Sequence, residues 1–367
     1  MTLSRRHALA LLAAAGCRRR GSGFDGYALV AASGSRGVAI IDLLAFARTG
    51  SIPLPYEPTA LIAHPDPAAR RAYAVMAGHS SIAEISPDSP SVLRRIALPA
   101  RPHTVRVANG RLYWIDPARN WLGVVDLKAW QPLNPIPLAA PPVDLDVSHS
   151  RPLAAVTLAS GAVQFIPTDG GKPFAPVSVA PDLGSIRFRS DGNSALVAEP
   201  RANAISVIET ASMRMVVQLQ LALRPERLWM NADGGQLFVT GAGVDGVAIV
   251  YPYRTEVAQT FLSGRRPGEM ADSRAPDYLF VSNPEAGSVT VFSIETQKVV
   301  AVTGVGASPG PIAITPDQQY ALVVNRGSGD LAVIRIAAIT PGREKRAPLF
   351  TMVPVGAQPC GIAVFGA

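Results

Sequence analysis

The residue types that most often carry out chemistry are scarce in this chain and poorly spaced for it. Of its five histidines, His64, His79, His103 and His149 lie beyond the N-terminal segment. None forms an H-x-x-H or H-E-x-x-H pattern, which would set two imidazoles on one helix face to hold a metal. The two cysteines, Cys17 and Cys360, stand far apart. No paired-thiol metal site, disulfide framework or C-x-x-C-H haem attachment can therefore be built. An S-x-x-K pattern, which would place a lysine beside a serine nucleophile, is also missing. No metal and no cofactor is expected, and Cys360 reads as a small buried apolar residue.

Carboxylates recur rather than converge. Asp66, Asp191, Asp233 and Asp317 each follow a short apolar run, often beside Pro or Gly. In that setting an Asp side chain accepts hydrogen bonds from the backbone of its own turn. Asp42, Asp126 and Glu209 close a second kind of run in the same way. Both sets read as turn residues. Trp114, Trp121, Trp130 and Trp229, with Tyr113, gather mostly in residues 103–142. They are expected in a core or covering an outer strand, with a stacking surface as the functional alternative.

Composition points to β structure. Hydrophobic residues make up 48% and charged residues 17% of 367, with 32 Gly and 33 Pro. That much apolar material with so many turn formers implies many short strands and one large closed core. The formal charge of +7 would suit nucleic acid, but Arg5, Arg6, Arg18, Arg19 and Arg20 all precede the first acid, Asp25. The remainder carries only +2, which argues against nucleic-acid binding by the body of the protein.

Those arginines frame an address. A charged start is followed by an apolar stretch from Ala8 to Gly16, too short to span a bilayer. Ser4-Arg5-Arg6-His7-Ala8-Leu9 resembles a twin-arginine export signal, and Ala14-Ala15-Gly16-Cys17 resembles a bacterial lipobox. The resemblance implies a signal peptide over 1–16, lipidation of Cys17, a tether over 17–25 and an extracytoplasmic, membrane-anchored protein.

The elements that must position any site repeat with a period near 42 residues over about 26–367. The clearest unit runs through Gly287-Ser-Val-Thr-Val-Phe-Ser-Ile-Glu-Thr296, Gly310-Pro-Ile-Ala-Ile-Thr-Pro-Asp317 and Tyr320-Ala-Leu-Val-Val-Asn325. These segments resemble the YVTN-repeat β-propeller family, whose units follow P-x-G-I-A, x-P-D-G, Y-V-x-N and G-x-V-x-V-I-D-T. The match is good over 268–330 and worn elsewhere. Each unit supplies four short strands, a to d from the axis outward: Pro311–Thr315, Ala321–Asn325, Leu331–Ile336 and Phe350–Val355 in the best one. Such blades bury their faces only by stacking around an axis.

Prolines mark the register before strand a, at Pro58, Pro102, Pro142, Pro225, Pro267, Pro309 and Pro359, with Pro181 one residue off pattern. They delimit seven complete units. Residues 26–58 supply three strands without a strand a, and Cys360–Phe365 is a strand a with nothing after it. The last strand is therefore expected to complete the first blade, giving eight blades, with seven as the alternative and residues 143–181 as the weakest unit.

In this topology the d–a and b–c loops share one face. They carry Arg101, His103, Arg119, Arg201, Arg227, Glu269 and Arg326, which become the candidate ligand contacts. Guanidiniums gripping a carboxylate or phosphate would make the ligand anionic. The leading expectation is a monomeric, non-enzymatic, envelope-anchored propeller that binds a protein or an anionic ligand at this face. A lactonase-like hydrolase, through the fold resemblance, and an accessory of a periplasmic redox system, through the leader, are the alternatives.

Overall fold

In the computed structural model, residues 23–231, 233–339 and 348–366 are described; the leader, Cys17 and most of the tether lie outside them. The alternating apolar runs become eight antiparallel blades in a ring. The unit read most clearly in sequence folds as strands Pro309–Ile314, Tyr320–Asn325, Asp330–Arg335 and Leu349–Pro354, in that order from the axis. Strand b of each blade is buried on both faces, as at Tyr320–Asn325 and Ser194–Glu199. Strand d shows a half-exposed pattern because only one side meets a neighbour.

Eight separate apolar clusters hold the ring together, one at each interface between adjacent blades. The closing interfaces are as deeply buried as the others. C-terminal strand Pro359–Gly366 pairs with Gly26–Ala32 from Tyr27↔Phe365 to Ala32↔Pro359. Its Ala363 and Phe365 fill the cluster facing the second blade, while Ile362 and Val364 pack toward the eighth. The first blade is thus built from both ends of the chain, and the ring has eight blades. Residues 143–181 form a full blade, with strands Pro142–Val147, Leu153–Leu158 and Ala162–Pro167 and an outer strand reduced to Val177–Ser178. The outer strand of the third blade is split into Gln131–Pro132 and Ile136–Pro137.

The repeated acids are turn residues. Asp66 accepts from the Ala68 N–H at 2.9 Å, Asp233 from Gly235 at 2.7 Å and Asp317 from Gln319 at 3.1 Å. Asp42 and Asp126 each accept from two successive N–H groups that follow strand c. Trp114 and Tyr113 are buried. Trp114 lies across Gly123, where an added Cβ would meet the indole at 2.1 Å, so only glycine fits beneath that ring.

Candidate functional site

Strand a of each blade runs along the axis, so side chains at its start open onto the d–a and b–c loop face. There the second to seventh blades surround a cavity of about 910 Å³. Arg101, His103, Arg119, Arg227 and Glu269, all singled out from sequence, line it. Arg201 and Arg326 do not. Arg201 sits at the surface, 3.6 Å from Asp182, with its side chain 82% exposed, and Arg326 is one blade further on, near Cys360.

The floor of the cavity is made by residues not singled out from sequence. Arg106 projects from strand Val105–Ala108, Asp144 from Pro142–Val147 and Arg187 from Ile186–Phe188, with Asp146, outside the lining, beside Arg106. Asp144 lies 3.6 Å from Arg106 and 3.3 Å from Arg187, and Asp146 lies 3.8 Å from Arg106. Each carboxylate also caps a backbone N–H on the free inner edge of the next blade: Asp144 takes the Ile186 N–H at 3.2 Å and Asp146 the Phe188 N–H at 2.7 Å. An innermost strand has no further neighbour, so its open donors need partners of this kind. Burial and the Arg187 charge push Arg106 below its ordinary range, while Asp144, Asp146 and Glu269 work against that shift. A guanidinium stays charged at neutral pH regardless.

Nearer the rim, Arg227 pairs with Glu269 at 2.7 Å, both half-exposed. Arg119 pairs with the buried Asp116 at 3.1 Å. Arg101 is exposed and makes no ion pair among the described residues. The lining therefore holds five guanidiniums against the carboxylates of Asp116, Asp144 and Glu269. The His103 ring lies 3.5 Å from the Thr104 hydroxyl. Two residues beyond Arg227 on the same strand, Trp229 also lines the cavity, its indole N–H held by Asp272 at 2.8 Å.

A G-x-S-x-G spacing does occur, at Gly306–Gly310. Ser308 there has φ 52°, but Arg266 and Gln358 have φ 54° and 52° in the matching Gly-x-x-Pro crossovers of other blades. The conformation is the repeat's crossover between strand d and strand a, not a strand-to-helix nucleophile elbow. No group of His, Cys, Asp and Glu among the described residues is arranged to hold a metal.

No protein-family model matches the chain, and no curated protein matches it. Solved structures do. The dihydro-heme d1 dehydrogenase NirN in complex with DHE is 16% identical at TM-score 0.73, covering 92% of this chain and 74% of that one. Apo AztD from Citrobacter koseri is 12% identical at TM-score 0.71, covering 93% and 98%. Kuenenia stuttgartiensis hydrazine synthase is 16% identical at TM-score 0.58, covering 72% and 95%. At these identities the likeness is one of fold, an eight-bladed β-propeller.

Proposed function

We propose that this protein is a non-enzymatic, envelope-anchored propeller that binds a small anionic ligand in the axial cavity. One observation carries the reading: guanidiniums outnumber carboxylates on the lining, and Arg101 has no carboxylate partner among the described residues. A cavity of about 910 Å³ also suits a small molecule, since ligand sites commonly enclose roughly 300–1,000 Å³. NirN, of the same fold, was obtained in complex with DHE, in keeping with ligand binding on this scaffold. The leader supports export, and Cys17 supports a lipid anchor.

The test is calorimetric titration of di- and tricarboxylates and phosphorylated metabolites at two salt concentrations, with wild type and with Arg101→Gln/Arg227→Gln. The expected result is a hit that weakens at least about a hundredfold in the double variant, since losing two charge-assisted contacts costs about 1.5–3 kcal/mol each. No binding at low salt, or binding indifferent to both substitutions, overturns it. The meeting of Arg106, Asp144 and Arg187 at the cavity floor favours a second reading, hydrolysis of a lactone. Turnover of lactones that Asp144→Asn abolishes would replace the binding reading.

A further inference from the structure

We propose that the ligand of this cavity is an aromatic carboxylate, its ring lying on Trp229 and its carboxylate on Arg227; this rests on the anionic reading above. Trp229 differs from the other tryptophans. Trp130 is covered by the Arg94 guanidinium at 4.2 Å, Trp121 by Arg119 at 5.6 Å, and Trp114 lies flat over Gly123. Among the described residues no aromatic ring or guanidinium covers the Trp229 indole, and the residue is 36% exposed to the cavity. Exposing so large an apolar ring forgoes burial that would stabilise the fold, and an aromatic plate left bare in a concave site is a surface for a partner ring.

The plate is also fixed. The indole N–H donates to Asp272 Oδ1 at 2.8 Å, which holds the ring edge to the seventh blade. Leu228 between them is 2% exposed, so by strand alternation Arg227 and Trp229 stand on the same side. Their Cα atoms are about 7 Å apart, two strand residues, and the flexible Arg227 side chain spans the offset between a ring and its carboxylate. On binding, the ligand carboxylate would displace Glu269 from Arg227. Cavity residues Ile62, Val75 and Ala77 of the second blade supply apolar wall for the rest of the ring system.

The probe pair is naphthalene-2-carboxylate and decalin-2-carboxylate, matched in size and charge but differing in the π face. Affinity is measured by calorimetry for wild type, Trp229→Leu, Trp229→Phe and Arg227→Gln, with Trp fluorescence followed in parallel and thermal melting to confirm folding. Wild type should prefer the naphthalene compound about three- to tenfold, the ratio expected of one aromatic pair, and binding should quench Trp fluorescence. Trp229→Leu should erase the preference and the quenching while retaining decalin binding, and Trp229→Phe should keep part of the preference. Equal affinity for the two probes, weakened by Arg227→Gln but indifferent to Trp229→Leu, overturns the aromatic proposal and leaves the anionic reading standing. Failure of both probes to bind, or binding indifferent to Arg227→Gln, overturns the two together.

Discussion

Asp144 touches two arginines and a backbone N–H at once, and its neighbourhood shows how a carboxylate can be structural in a cavity that looks catalytic. Replacing it by Asn keeps the shape and removes the charge that Arg106 and Arg187 share. Two like charges would then face each other with one remaining carboxylate, Asp146. Since both arginine side chains keep 25–30% exposure, solvent softens the cost, and a loss of about 1–3 kcal/mol is expected, read as a lower urea midpoint at unchanged slope. These floor residues were the least legible part of the site. Their signal was present all the same: Arg106, Asp146 and Arg187 put charge at the place in strand a where Ile62 and Ala313 stand in other blades, and Asp144 adds one two residues earlier. Of the loop arginines singled out from sequence, Arg201 and Arg326 do not line the cavity. Cys360, expected as a small buried apolar residue, is only half-buried, at the edge of the cluster between the first two blades. Burial pushes its thiol up to about 11 from 9.0, and its Sγ–H lies 3.4 Å from the Pro58 carbonyl. Because the folded value lies above the unfolded one, the thiolate is suppressed between pH 9 and 11. Alkylation by iodoacetamide at pH 9 should therefore run at least about fifty-fold slower in the native protein than in urea.

At the scale of elements, strand periodicity and proline punctuation were enough to place blades, because a blade repeats its own chemistry. Strands of the best-matched unit fall within two residues of the sequence reading. The outer strands were less legible. With one side in water they need little alternation, and the outer strand of the fourth blade survives on only two paired residues, Val177 and Ser178. C-terminal strand Pro359–Gly366 is the element on which closure depends. Ending the chain at Gln358 would strip Gly26–Ala32 of a partner and uncover Phe365's place in the core. Phe365 is 1% exposed, and losing it with Ala363 and the ladder should cost more than about 3–5 kcal/mol, the range for one large core side chain. The truncated protein should melt lower and aggregate, and the missing strand added as a peptide should raise the melting temperature again. An unchanged melt would show that the ring does not depend on this strand.

For the whole molecule, the tether and the cavity bear on each other. Strand a enters from the d–a face and strand b begins at the opposite one. Gly23 precedes the strand b that begins at Gly26, and its N–H bonds the Leu44 carbonyl at 3.3 Å, in the turn between strands c and d of the first blade. The chain therefore leaves the propeller on the face opposite the cavity mouth. Five residues lie between Cys17 and Gly23, and the six steps give a reach of at most about 20 Å. A lipid on Cys17 would hold that far face against the bilayer and turn Arg101, Arg227 and Trp229 toward the aqueous side. The expectation is that the full chain, reconstituted in vesicles, binds the anionic ligand proposed above with the affinity of the soluble propeller. Acrylamide in the water should quench Trp229 as well as it does in solution, with Trp229→Phe as the reference for the other three tryptophans. Brominated lipids should leave Trp229 untouched. Quenching of Trp229 by the brominated lipids would put the cavity against the membrane and reverse this orientation, and a Cys17→Ser chain that stays with the membrane fraction would remove the lipid from the account.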